Sequence, residues 1–237
     1  NSTTDIVPGG AIYTTKFDTV ELLAGWVYDT RNRGLFADRG ARHRLTANVT
    51  VPGSDVEYYT LNYNFQKYLP VNRWATFLFS LDLGYGAALG DTTSLPPYRN
   101  YFAGGPDTVR GYRENDLGPK DTFGRPYGGD LLTAGQVELL LPIPEKWEAK
   151  SRFTLFFDMG NVYSVGDVQF YDKQLQPIDY HFDASNLKRS YGISAQWLAP
   201  LGLFRFSYAF PMDADDGTTT LWGDKTERFQ FSIGGAF

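Results

Sequence analysis

The central stretch of this chain is Tyr101-Phe102-Ala103-Gly104-Gly105-Pro106-Asp107-Thr108-Val109-Arg110-Gly111-Tyr112, in a long loop between segments that are predicted to be strands. Gly104-Gly105-Pro106 predicts a turn, because glycine accepts a positive φ and proline fixes φ. Arg110 follows at a point where a folded-back loop can present its guanidinium to carboxylates. This stretch alone leaves a second interpretation open, a surface arginine in a Gly/Pro-rich loop.

Apolar and polar residues alternate along nearly the whole chain on either side of this loop. In the segment 152–159, Leu155 and Phe157 point to one face, whereas Thr154 and Asp158 point to the other. The same pattern predicts about nine strands. They cover residues 20–28, 44–51, 58–69, 74–86, 133–139, 152–159, 191–197, 204–210 and 229–237.

The length and composition of these segments indicate a membrane β-barrel. No apolar run approaches the roughly 18 residues of a membrane-spanning helix, which excludes a helical membrane protein. The predicted strands are near the roughly 10 residues that a tilted membrane strand needs, and longer than the roughly 5 to 6 of a soluble sandwich. Aromatic residues make up 16% of the chain, as suits aromatic girdles. We therefore predict an all-β, antiparallel transmembrane barrel with its apolar face to lipid and its polar face to a wet lumen.

The connections between the predicted strands roughly alternate between short and long. The long ones are 88–128, 163–186 and 211–225, and the short ones include 69–73 and 199–202. Outer-membrane barrels have short periplasmic turns and long external loops, which predicts a periplasmic C-terminus. The connection 30–40 is long on the predicted inner side. The first residues carry no signal-peptide pattern, so we expect a mature chain or a piece of a longer one.

Other features of the sequence narrow the function. A net charge of −5 argues against a nucleic-acid partner, and zero cysteines exclude disulfides and thiolate metal sites. His43 and His181 have no serine placed beside them by spacing, so both are interpreted as structural and no enzyme is predicted. The acidic run at Asp213, Asp215 and Asp216 lacks complete calcium-loop spacing and is interpreted as a solvated turn. We predict no metal and no cofactor.

Arg110 needs carboxylate partners if it is buried, because an unpaired buried charge costs several kcal/mol. Glu138 and Asp158 fall on the polar faces of two consecutive predicted strands, which could bring them together in the lumen. An arginine between them would relieve their repulsion. We therefore predict that the loop 88–128 folds inward and that Arg110 bridges Glu138 and Asp158. In the alternative, both acids line a hydrated wall.

Several motifs resemble the Omp85 superfamily. The run from Phe102 to Tyr112 resembles its loop-six motif, with Val109-Arg110-Gly111-Tyr112 at the centre. Gly128-Gly129-Asp130 and Phe156-Phe157-Asp158-Met159-Gly160-Asn161-Val162 resemble the two strands that follow. Phe229-Gln230-Phe231-Ser232-Ile233-Gly234 resembles the terminal strand with its assembly signal. The resemblance spans nearly the whole chain.

The resemblance implies a barrel of roughly sixteen strands, preceded by periplasmic POTRA domains. We expect residues 1–237 to be its C-terminal part, with the POTRA domains and first strands lying outside this chain. The implied role of the motif loop is a contact between Arg110 and acids at Glu138 and Asp158. The implied seam strand includes Phe229, Phe231, Ile233, Gly234 and Phe237. Gly234 and Gly235 weaken this strand near its end, which favours a bend or a loosened seam.

The implied function is to fold and insert β-barrel proteins into the bacterial outer membrane. The implied partners are outer-membrane lipid, client outer-membrane β-barrel proteins and accessory lipoproteins of an assembly complex. The alternative within the superfamily is a two-partner-secretion or TamA-like translocation pore, which shares the loop motif. Two other classes remain: a lipid-modifying barrel enzyme, which requires His43 or His181 to contact a serine, and a passive porin, which lacks the Arg110 motif.

Overall fold

A computed structural model describes residues 2–6, 12–72, 75–148, 150–218 and 222–234. Its strands are β1 Ser2–Ile6, β2 Ile12–Lys16, β3 Glu21–Asp29, β4 Gly40–Thr50, β5 Tyr58–Asn72, β6 Ala75–Ala88, β7 Gly111–Tyr112, β8 Leu131–Leu140, β9 Ser151–Tyr163, β10 Phe170–Tyr171, β11 Pro177–Ile178, β12 Lys188–Ala199, β13 Gly202–Pro211, β14 Thr226–Glu227 and β15 Phe229–Gly234. A short helix, α1, covers Glu145–Glu148, and 3-10 turns cover Pro97–Arg99 and Ala184–Asn186.

Within the described residues, nine strands form one antiparallel sheet in the order β3-β4-β5-β6-β8-β9-β12-β13-β15. Each strand pairs with the next long strand along the chain, so the sheet is a simple up-and-down meander. These are the nine strands that the alternation predicts, and that prediction is confirmed. Most strands extend a few residues beyond their predicted bounds, because backbone pairing continues after the side-chain alternation fades. Strands β1 and β2 form a separate hairpin.

The two faces of the sheet differ as the alternation predicts. Along β9, Phe153, Leu155 and Met159 are exposed, whereas Thr154 and Asp158, which point the other way, are buried. Apolar side chains on the exposed face and polar side chains on the covered face are the reverse of a soluble sandwich. Among the described residues, no helix is both long and apolar enough to cross a membrane.

The connection between β6 and β8, residues 89–130, is called the motif loop below. It lies against the polar face of the sheet, and its side chains build a core there. Val109, Tyr112 and Leu117 are almost completely buried and pack with Val162 of β9. The loop is therefore held by a dry contact inside an otherwise polar interior.

The connection between β3 and β4, predicted as a long inner connection, also folds onto the polar face. Phe36 and Ala37 are buried. Arg152 of β9 donates a hydrogen bond from Nη2 to the carbonyl of Ala37. Its guanidinium lies 5.3 Å from the ring of Phe36 and 5.6 Å from that of Tyr68. This turn therefore covers a second part of the polar face.

Candidate functional site

Glycines set the path of the motif loop. Gly104 has φ of 98° and Gly111 has φ of 89°, a region that other residues rarely adopt. A Cβ on Gly104 would also lie 2.3 Å from the carbonyl oxygen of Arg113. Between these glycines, the Thr108 hydroxyl accepts from the Gly104 amide at 2.9 Å and donates to its carbonyl at 3.1 Å. This closed turn aims the next residues at the sheet.

Arg110 extends from this turn into contact with two acids. Its Nε and Nη2 donate to the two carboxylate oxygens of Asp158 at 2.8 and 2.7 Å. Its backbone N–H donates to Asp158 Oδ2 at 3.0 Å. Nη2 also lies 2.9 Å from Glu138 Oε1. All three side chains are at most 8% exposed. The structure therefore places Arg110 between Glu138 of β8 and Asp158 of β9.

The ring of Phe156 completes this contact. In the pairing of β8 with β9, Phe156 stands opposite Glu138. The Arg110 guanidinium lies over its ring at 3.6 Å from the centroid. A cation stacked on an aromatic face gains from the ring quadrupole. Phe156 shares the parity of Thr154 and Asp158, which predicts that it points into the lumen, but no motif gives it a role.

The charges of the site favour a permanently ionised arginine. Burial opposes the guanidinium charge, but the attraction of Asp158 and Glu138 outweighs it and raises the pKa of Arg110. Within the described residues, Glu138 Oε2 is buried without a hydrogen-bond partner. Asp158 therefore carries most of the contact, and Glu138 is the less well satisfied acid.

Val109 and Tyr112 anchor the motif on either side of Arg110. Val109 lies in the buried core of the motif loop. The Tyr112 hydroxyl donates to the carbonyl of Arg189 at 3.2 Å and accepts from the Asp213 amide at 3.3 Å. Burial raises the pKa of Tyr112 to about 12, so its hydroxyl stays protonated. Gly111 allows the sharp path between them, since a Cβ there would lie 2.9 Å from Ala209.

The motif loop also contacts the terminal strand. Gln230 of β15 accepts from the Gly111 amide at 3.1 Å and donates to the Tyr112 carbonyl at 2.7 Å. Just before β15, β14 pairs with β7 and so adds the motif to a two-stranded ribbon. Gln230 lies within the predicted terminal-strand motif, but that motif gives it no partner. Its only sequence signal is a long amide in a lumenal position.

A second buried cluster of charges holds the motif loop. Lys120 is 3% exposed, and its Nζ lies 3.2 Å from Asp116 Oδ2 and 3.8 Å from Asp224 Oδ1. Lys188 of β12 lies 2.8 Å from Asp224 Oδ2. The cluster ties the motif loop to the connection that precedes β15. Local pattern does not predict this cluster, because Lys188 and Asp224 lie far from Asp116 and Lys120 along the chain.

The predicted seam residues lie on the outer face of β15. Phe229, Phe231 and Ile233 are exposed by 58%, 48% and 57%. Gly234 ends the strand, and Phe237 lies outside the described residues. Strand β15 pairs with β13 along one edge, and in the described part of the chain it forms the margin of the sheet. Its other edge therefore presents backbone hydrogen-bonding groups.

In the described part of the chain, the recorded hydrogen bonds and ion pairs of the remaining candidates go to groups other than serine. His43 Nδ1 lies 2.9 Å from the Tyr63 hydroxyl, and His181 pairs with Asp179. In the acidic turn, Asp213 pairs with Arg189, and Asp215 pairs with Lys188. Among the described residues, no cluster of three or more potential metal ligands occurs.

The sheet is an up-and-down antiparallel meander with an apolar outer face, and a buried arginine fixes a loop to its inner face. These features define a transmembrane β-barrel of the outer-membrane type. The chain belongs to the Omp85 superfamily, whose domain model matches residues 2–237. Its location is accordingly the bacterial outer membrane.

Known proteins with similar sequences are assembly factors. The chain is 31% identical over 232 residues to the outer membrane protein assembly factor BamA of Neisseria meningitidis, covering 90% of this chain and 28% of that protein. It is 25% identical to the sorting assembly machinery 50 kDa subunit of Saccharomyces cerevisiae, covering 96% of this chain and 46% of that protein. The secretion-pore alternative is not favoured by these relatives.

A solved structure agrees with the fold. The crystal structure of BamA from Haemophilus ducreyi lacking POTRA domains 1–3 superposes with a TM-score of 0.81 at 28% identity. That match covers 98% of this chain and 45% of the other. The chain thus spans less than half the length of each of these relatives.

Proposed function

We propose that this chain is the C-terminal part of the barrel of an outer-membrane protein assembly factor, which folds β-barrel proteins and inserts them into the bacterial outer membrane. The similarity to BamA over 90% of the chain carries this proposal. The yeast relative, a subunit of a sorting and assembly machinery, supports the same role. An assembly factor of this kind makes and breaks no covalent bond, so the chain is not an enzyme.

In this proposal, Val109, Arg110, Gly111 and Tyr112 form the functional loop motif, and Glu138 and Asp158 are its lumenal partners. The loop stiffens the wall at β8 and β9, because one guanidinium contacts an acid on each strand. If β8 and β9 are held rigid while the seam at the terminal strand is weak, the barrel opens at the seam. Multiple charge-assisted hydrogen bonds to one buried group give this anchor its strength.

The client engages the terminal strand. An incoming strand can pair with the open edge of β15 through backbone hydrogen bonds, as in β-strand addition. The outward side chains Phe229, Phe231 and Ile233 hold the strand in lipid, and Gly234 near its end eases the opening of the seam. Phe237 belongs to the same proposed assembly signal. The proposed partners are client outer-membrane β-barrel proteins and outer-membrane lipid, and the resemblance to the superfamily adds accessory lipoproteins of the assembly complex.

The test uses the full-length protein reconstituted in phospholipid vesicles with an unfolded client barrel. Folded client is measured by its heat-modifiable migration on gels. Arg110→Ala breaks a buried ion pair, which typically costs about 3–5 kcal/mol, so we expect client folding to fall at least about tenfold. Arg125→Ala is the matched control, because Arg125 lies in the same loop and its side chain is 72% exposed. Equal activity of both variants would contradict the role of the motif, and an inactive wild-type protein would contradict the function.

A further inference from the structure

The side-chain amide of Gln230 both accepts and donates a hydrogen bond between the terminal strand and the motif loop. Its Oε1 accepts from the Gly111 N–H at 3.1 Å, and its Nε2 donates to the Tyr112 carbonyl at 2.7 Å. Gln230 is 5% exposed, and both groups that it satisfies belong to buried residues. Buried backbone groups that lose their partners are costly, so this geometry is strongly favoured over alternatives.

The contact uses the face of the terminal strand and leaves its edge free. Along β15, Gln230 pairs through its backbone with Ser207 of β13. Side chains project perpendicular to the sheet, whereas strand addition uses backbone groups in the plane of the sheet. A side-chain tether from the lumen therefore does not compete with a client strand for the open edge.

Backbone contacts extend this tether beyond one side chain. Thr226 and Glu227 pair with Tyr112 and Gly111 just before β15 begins. The Arg113 amide donates to the carbonyl of Lys225 at 2.8 Å. The motif loop thus holds the segment that leads into the terminal strand, and Gln230 holds the strand itself.

We propose that Gln230 is a positioning residue that ties the lumenal face of the terminal strand to the motif loop while the strand's edge receives a client. The role in client assembly rests on the proposed function, but the tether does not. When a client strand pulls on the edge of β15, the tether keeps β15 aligned with β13. Without it, the loop motif still contacts its acids on β8 and β9, but the terminal strand is free to move relative to that loop.

The experiment measures amide hydrogen exchange at residue resolution in the full-length protein in lipid nanodiscs, using Gln230→Met. Methionine matches the length of glutamine but forms neither hydrogen bond. We expect the Gly111 amide to exchange about fivefold faster, because one lost hydrogen bond shifts local opening by about that factor. Gln230→Glu is an intermediate variant, since its carboxylate can accept from Gly111 but cannot donate to Tyr112.

Ser232→Ala is the matched control, because Ser232 lies two residues further along the same face and its Oγ has no hydrogen-bond partner among the described residues. It should leave exchange within about twofold of wild type. Unchanged Gly111 exchange in Gln230→Met overturns the tether. Faster exchange with undiminished client folding in vesicles overturns the positioning role. A wild-type protein that folds no client refutes the proposed function instead, and exchange alone then decides the tether.

Discussion

Asp158 and Glu138 both contact Arg110, but we expect their neutralisation to have very different costs. Asp158 accepts three hydrogen bonds from Arg110, two from the guanidinium and one from the backbone. Glu138 accepts through one oxygen, and its other oxygen has no partner among the described residues. Asp158→Asn therefore removes the main anchor, whereas Glu138→Gln removes a weaker contact and some repulsion between the two acids.

The magnitudes follow from these contacts. Breaking a buried ion pair costs about 3–5 kcal/mol, and asparagine keeps one neutral acceptor, so we expect Asp158→Asn to cost about 3 kcal/mol. Hydrogen bonds to charged groups contribute about 1.5–3 kcal/mol, and glutamine retains part of this, so Glu138→Gln should cost about 1 kcal/mol. The difference of about 2 kcal/mol corresponds to about a 30-fold change in the ratio of folded to unfolded protein.

The assay is urea-induced unfolding of the full-length protein in lipid vesicles, followed by tryptophan fluorescence. Asp82→Asn is a control on the same wall, because Asp82 accepts a hydrogen bond from Asn64. We expect its effect to stay near about 0.5 kcal/mol. A free energy of unfolding that falls as much in Glu138→Gln as in Asp158→Asn would refute the unequal division of the contact.

Three further predictions use the same unfolding assay. Phe156→Leu should cost about 1 kcal/mol more than Phe157→Leu on the outer face, because only Phe156 contacts the guanidinium; equal losses would show that the ring contact contributes nothing. Gly160→Ala should cost about 1–3 kcal/mol, since its Cβ would lie 2.7 Å from a backbone oxygen of β8, whereas Gly135→Ala, with 3.6 Å of space, should be tolerated. Lys120→Met removes a cation that two buried carboxylates, Asp116 and Asp224, share, and should make the motif loop more susceptible to protease; continued resistance would contradict this.

The strands were predictable because a membrane barrel imposes a contrast between lipid and lumen at every residue. A shift of one residue in strand register would point a charged side chain such as Asp158 toward lipid. The alternation of apolar and polar residues is therefore pronounced. The same parity placed Glu138 and Asp158 on one face, and the structure places both beside Arg110. Gly104, Gly105 and Pro106 predicted the turn that brings Arg110 to the sheet.

Contacts between distant segments were not predictable from local pattern. Gln230 lies 119 residues from Gly111 along the chain, and nothing in its own strand states which loop it meets. Parity places Phe156 on the lumenal face, but nothing local indicates that its ring lies under the guanidinium of Arg110. The turn around Phe36 is rich in charges and suggests a solvated connection, yet its aromatic ring is buried. In each case tertiary packing decides a choice that the sequence leaves open.

The cation of the Arg110 ion pair is a guanidinium, which stays charged when the pH falls. A raised pKa stabilises the folded state at every pH below the unfolded value, and that contribution fades only in strong alkali. A histidine in this position would change its charge near neutral pH and loosen or tighten with the surroundings. The cationic half of the contact therefore keeps its charge through changes in the acidity of the environment, so any loss of the contact in acid must come from protonation of Asp158 or Glu138.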